Sequence, residues 1–274
     1  ALAMHLWLKP VKGYPKYLRD LAKQFEEAGL SLRNKEEIFY KALEIEDKKP
    51  GSYSAKVNIQ LDPDMRSDEA TKVILRFLLH VLRINETNIE KDLDTEFVYD
   101  YRVAIRRTRS ALGQIQWVFP RETSERFKKA FAFVGRLSND LRDLDVYLLN
   151  EATYKAKLPP VLRDDIDPLF DHLRKKRSKA FQKVISGLKS KKYVKILEDW
   201  EAFLNQPRQD GGAAANAELP IVDLACKRIY KKYRNVVKAC NLILENAEDE
   251  MLHVLRIHCK KLRYLMEFFS SLFP

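Results

Sequence analysis

The chain has 274 residues, with 50 lysines and arginines against 39 aspartates and glutamates, a formal charge of +11 and 46% hydrophobic residues. That balance describes a soluble, strongly basic globular protein able to bury a core in one large domain or two small ones, and it excludes disordered and collagenous chains. Only 8 residues are glycine, where average usage would give roughly 19, and with neither GxGxxG nor GxxxxGK[ST] present the sequence has no nucleotide-type phosphate loop.

The first 65 or so residues, interrupted by Pro10, Pro15, Pro50, Gly51 and Pro63, read as an N-terminal arm or linker. Ala1 to Pro10 lacks the h-region and cleavage site of a signal peptide. No stretch reaches the roughly 18 uninterrupted apolar residues of a membrane span; even Val73 to Ile84 is broken by Arg76, His80 and Arg83. The expectation is a cytoplasmic protein without a membrane partner. Strand-forming residues appear only weakly, around Tyr53 to Leu61. Over 69–88, Val73, Ile74, Phe77, Leu78, Val81 and Leu82 recur at helical spacing, and similar periodicity runs through 95–118, 124–150, 160–188, 191–205, 220–244 and 248–272. Pro120 closes one helix, Pro159 and Pro160 separate the next pair, and Gln206 to Glu218 forms a loop rich in small and polar residues. The fold class is all-α. Cys226, Cys240 and Cys259 are odd in number and contain no CxxC pair, which argues against a disulfide framework or a cysteine-built zinc site and suits a reducing compartment.

The chain also matches itself. An offset of 154 brings Tyr99, Arg102, Arg106, Arg107 and Arg109 onto His253, Arg256, Lys260, Lys261 and Arg263, and Phe119-Pro120 onto Phe273-Pro274. Two related halves follow, about 66–150 and 160–274, the second cut short because nothing after Pro274 corresponds to Phe127 to Leu149. At about 100° per residue, Tyr99, Arg102, Arg106 and Arg109 occupy a stripe about 80° wide, and His253, Arg256, Lys260 and Arg263 repeat it. Apolar residues, among them Ala104, Ile105, Leu112, Leu255, Leu262 and Leu265, take another face. Like charges at i, i+4 cost roughly 0.2–0.5 kcal/mol per pair, so a cationic stripe calls for an anion. A solvated face with carboxylates such as Asp100, Asp140 and Asp143 as partners is the bland reading. Repetition of the same spacing twice weakens it, since solvation has no need of a register.

At these residues the chain resembles the CHAD (conserved histidine α-helical) domain family. YDYRVAIRRTRSAL is similar to its first signature, FVGRLSNDLRDLDVYL to its Arg-Asp-x-Asp segment and LHVLRIHCKKLRYLMEFF to its second signature, over about 66–274. The resemblance implies two pseudo-symmetric four-helix bundles whose signature helices line a basic central channel, in a family whose members bind inorganic polyphosphate. Tyr99 stands where the family usually has its first histidine. Residues 6–30 further resemble the end of a CYTH, or triphosphate-tunnel, domain, whose catalytic strands this sequence does not contain.

Arginine forks make bidentate bonds to phosphate oxygens. Arg102, Arg106, Arg109, Arg256, Lys260 and Arg263 are therefore first-rank ligands together with His253, whose place on the stripe favours phosphate over a metal or an internal hydrogen bond. A histidine metal pair is weak, because His253 and His258 lie about 140° apart on a helix. Arg107 and Lys261 fall off the stripe and rank second, as does Tyr99 on it. Arg136 and Arg142 stand among Asn139, Asp140, Asp143 and Asp145, a segment read as an ion-pair network ahead of a metal cluster. Arg174, Arg177, Lys183, Lys192, Lys227, Arg228, Lys231 and Arg234 could extend the channel. Tyr264 and Trp117 fit core or channel-wall packing better than base stacking. No nucleophile, base and orienter assemble in the pattern, and no cofactor is implied. The expected function is non-catalytic binding of polyphosphate or another phosphate-rich polyanion. The alternatives are RNA or DNA binding, which a pI of about 9.4 supports equally, and a metal-dependent phosphohydrolase or phosphotransferase built on Asp140 to Asp145.

Overall fold

A computed structural model of the chain describes residues 8, 15–30, 35–45, 53–207, 214–245 and 249–273. The chain divides into two compact units, Ala1–Ser54 and Ala55–Pro274. The first contains α1 (Pro15–Glu27) and α2 (Lys35–Ile45), so the expected linker carries helices of its own. Of the segment resembling the end of a CYTH domain, α1 and the turn after it fall within the described residues; apart from Leu8, positions 6–14 lie outside them.

The second unit is all-α, as the periodicity predicts: α3 (Ser67–Ile89), α4 (Thr95–Gln114), α5 (Arg121–Arg136), α6 (Asn139–Leu149), α7 (Glu151–Ala156), α8 (Asp167–Leu188), α9 (Lys191–Asn205), α10 (Ile221–Glu245) and α11 (Asp249–Phe268). The domain boundary expected near residue 65 falls earlier because Ile59 and Leu61 are buried in this unit's core. Residues 53–61 form no strand. The helix expected over 124–150 breaks at Leu137 and Ser138, where the buried Ser138 hydroxyl accepts from Arg102. The helix expected from 160 begins at Asp167, after a short 3-10 turn. No helix among the described residues is long and apolar enough to cross a membrane.

α4 is the hub. Asp94 caps its N-terminus by accepting from the Glu96 N–H at 2.8 Å. Its apolar face, Val98, Tyr101, Ala104, Ile105, Ala111 and Leu112, is buried against α3, α5, α6 and α11. An aromatic cluster joins α5 to α9: Trp200 lies 4.6 Å from Phe127 and 5.2 Å from Phe131, centroid to centroid. The hydroxyls of the buried Tyr101 and Tyr193 meet at 3.3 Å and pin α9 to α4. Trp117, expected in the core or the channel wall, is 50% exposed at φ 67°, in the turn that ends α4, and so is not a core residue.

The segments leading into α3 and α10 meet in an isolated antiparallel bridge between Arg66 and Pro220, positions 154 apart. Four backbone hydrogen bonds flank it in two exchanging pairs. Ser67 donates to Leu219 at 2.9 Å and Ile221 donates to Met65 at 2.9 Å; Asp68 donates to Ala217 at 3.1 Å and Val222 donates to Pro63 at 3.2 Å. Adding 154 to one member of each pair gives the other. The sequence offset is thus a local two-fold at this bridge.

Candidate cationic site at the crossing of α4 and α11

α4 and α11 cross in antiparallel sense, because Arg107 meets Glu267 while the Gln114 amide donates to the Lys261 carbonyl at 3.1 Å. Across the crossing, Arg106 lies within electrostatic reach of Lys260. Lys260 is held below the ordinary lysine range by burial first, then by the charges of Arg106, Arg256 and Arg263. Arg106, on the other helix, acts on Lys260 more strongly than Lys260's own neighbours at i−4 and i+3. Like charges thus share one face, half-buried at Arg106 and exposed at Lys260, Arg256 and Arg263, where water screens only part of their repulsion.

Tyr99 is exposed at the edge of this face and presents its ring to two guanidiniums: Arg142 at 4.9 Å from the centroid and Arg106 at 6.0 Å. Arg106 Nε and Arg142 Nη1 are buried without a hydrogen-bond partner in the protein. Arg102, one turn from Arg106, is occupied differently. Its Nη1 donates to Asn139 Oδ1 at 2.7 Å, Ser138 Oγ at 3.1 Å and the Gly135 carbonyl at 3.3 Å, clamping α4 to the α5–α6 corner. Burial, then Arg106, then Arg142 push its affinity for a proton down, partly opposed by Asp143. Arg109, His253 and Arg256 are exposed. Arg263 is exposed beside Glu267 at 3.4 Å, and its guanidinium lies 5.5 Å from the buried Tyr264 ring.

Other candidates are tied to structural partners. Arg107, with its side chain 11% exposed, bonds Glu267 at 2.7 Å and the Ala55 carbonyl at 2.7 Å. Arg174 pairs with Glu151 and Asp171. Arg177 joins Asp92, at φ 47°, to the buried Asp145 at 2.8 Å, so part of the carboxylate-rich segment forms an ion-pair network reaching α8. Asp145 is held above the ordinary carboxylate range by burial, against the pull of Arg177. Lys192 sits 4.1 Å from the Phe133 ring. Arg228 donates to the Gln116 carbonyl at 3.0 Å and its side-chain oxygen at 3.1 Å. Arg136, Lys183, Lys227 and Arg234 are exposed and scattered over α5, α8 and α10, while Lys231 on α10 and Lys261 on α11 are exposed. The sequence reading missed Lys232, which lies with Arg228 and Lys231 on one face of α10; the i, i+3, i+4 spacing was the available signal.

Fold and site together define an all-α domain with a cationic cluster where two helices of matching sequence cross. The CHAD domain family model matches residues 73–274, and the chain belongs to that family. The uncharacterized protein MT2285 of Mycobacterium tuberculosis (strain CDC 1551 / Oshkosh) is 24% identical over 171 residues, which are 61% of this chain and 33% of that protein. This chain therefore spans about a third of that relative's length. The crystal structure of the CHAD domain from the plant Ricinus communis is similar with a TM-score of 0.64 at 22% identity, over 81% of this chain and 72% of that one, which shows the shared fold.

Proposed function

We propose that this domain binds a phosphate-rich polyanion, inorganic polyphosphate by preference, along the facing cations of α4 and α11, and does not turn it over. The observation that carries the reading is the action of Arg106 on Lys260 across the helix crossing, where the leading charges on Lys260, those of Arg106, Arg256 and Arg263, are all positive. An anion there would relieve repulsion that the fold otherwise tolerates. The two-fold exchange of hydrogen bonds around Arg66 and Pro220 supports two pseudo-symmetric halves with a basic channel between their signature helices. Nucleic acid is the second reading, favoured by Tyr230 and Tyr233, exposed on α10 among Lys227, Lys231 and Arg234.

The test is titration with long-chain polyphosphate, RNA and DNA at two salt concentrations, for the wild type and for Arg106→Glu with Lys260→Glu. The double variant should lose polyphosphate binding while its helicity and thermal midpoint stay unchanged or rise. A large drop in the thermal midpoint would identify these side chains as internal structural partners and overturn the reading.

A further inference from the structure

The α10–α11 hairpin carries a second concentration of positive charge, apart from the α4–α11 stripe. On α10, Arg228, Lys231 and Lys232 stand at i, i+3 and i+4 and share a face. On α11, His258 and Lys261 stand at i and i+3, turned about 100–160° around the helix from Lys260. The two faces meet. Lys232 is half-buried and held below the ordinary lysine range by burial, then by Lys261, Lys231 and Arg228. His258 is likewise held down by burial, then by Lys232 and Lys261. The leading charges on Lys232 and on His258 are all positive.

The surroundings hold this cluster in place without neutralising it. Arg228 is braced on the Gln116 carbonyl and side chain, at the end of α4. From α4, Gln114 reaches α11 as a neutral amide donating to the Lys261 backbone. The charged residues of α4 at the crossing act elsewhere, Arg106 on Lys260 and Arg107 on Glu267. Two polar atoms in the cluster, His258 Nδ1 and Arg228 Nε, are buried without a hydrogen-bond partner in the protein. Burying such groups unpaired costs free energy that a bound oxyanion returns.

We infer that the α10–α11 hairpin is a second anion site, in which Lys232, Lys261 and His258, backed by Arg228, grip a compact phosphate group of triphosphate size, with His258 binding best when protonated. The site does not depend on polyphosphate lying along α4. Free triphosphate and the end of a polyphosphate chain offer the same chemistry. At matched total phosphate, long chains carry far fewer ends, so a site for either responds to triphosphate more strongly than to the long polymer.

The experiment follows the His258 imidazole proton by NMR through a pH titration of the full chain, assigned with His258→Gln. It is run with and without saturating inorganic triphosphate in an Arg106→Gln, Lys260→Gln background, which disables the stripe. Triphosphate should raise the His258 midpoint by about one pH unit, corresponding to tenfold tighter binding of the protonated form. Adding Lys232→Gln and Lys261→Gln should raise the midpoint of the free protein, by relieving repulsion, and abolish the response to triphosphate. A midpoint that ignores triphosphate, or a response that survives those two substitutions, overturns the inference. Full polyphosphate affinity in the stripe-disabled background would instead sink the proposed function and leave the hairpin site to the histidine titration.

Discussion

Arg102 and Arg106 sit one turn apart on α4 and have different consequences when removed. Arg102→Ala breaks the clamp on Gly135, Ser138 and Asn139, and should cost about 1.5–3 kcal/mol of stability, the range for hydrogen bonds to a charged group. Arg106→Ala leaves Nε with nothing to satisfy, and should lower polyphosphate affinity with little change in stability. Parallel thermal melts and titrations of the two variants check the split; equal loss of stability would refute it. His258 supplies a pH dependence. Its folded-state affinity for protons is depressed, so the unfolded chain binds more protons as pH falls through and below 6.5, and stability declines in that window and returns above it. Replacing His258 by Gln should flatten that part of a pH series of melts. The cationic residues were legible in the sequence because a 3.6-residue period turns spacing into a face. The grip of Arg102 was not, since Gly135 and Asn139 lie 33 and 37 residues away and no local pattern encodes such a contact.

Between elements, the ion pairs decide which cations are available to a ligand. Arg177 ties α8 to the buried Asp145 on α6 and to Asp92 beyond α3. Truncating Arg177 to Ala would strand the Asp145 carboxylate in the core and should cost about 3–5 kcal/mol. Combining it with Asp145→Leu should recover much of that loss in denaturant melts, while polyphosphate affinity stays near that of the wild type in both. A fall in affinity without a fall in stability would return Arg177 to the set of ligands. The expected ion-pair reading of this segment came from alternating signs in sequence, but its partner on α8 did not. The break at Leu137 and Ser138 had a local signal, since Gly135 and Ser138-Asn139-Asp140 are residues that end and start helices, but the bond that holds the corner, from Arg102 to the buried Ser138, was hidden. Trp117 misled for the opposite reason, because a large aromatic reads as core whatever backbone angle its turn demands.

For the whole molecule, the proposed binding divides into a part set by charge and a part set by shape. A chain with a formal charge of +11 attracts any phosphate backbone, so binding of polyphosphate, RNA and DNA alike should weaken steeply with salt. Polyphosphate carries no sugar or base, whereas a base-bearing strand needs room or a stacking platform. At equal phosphate count it should outcompete RNA and DNA by at least about tenfold, or roughly 1.4 kcal/mol. Equal competition by single-stranded RNA, removed by Tyr230→Ala with Tyr233→Ala, would shift the reading to nucleic acid and to α10.

The bridge between Arg66 and Pro220 also sets a timetable. Its hydrogen bonds join residues 149 to 159 positions apart in the chain: Asp68 to Ala217 and Pro63 to Val222 mark the two ends of that range. Packing within α3 and α4 needs only neighbouring sequence, whereas this seam forms only after a loop as long as an ordinary domain has closed. At a synthesis rate of about 5–20 residues per second, a nascent chain emerges for roughly 8–30 seconds with the amides of Ser67 and Asp68 still waiting for their acceptors. During that interval the front of the domain is a half-built helical layer, open to early degradation and to association with other unfinished chains.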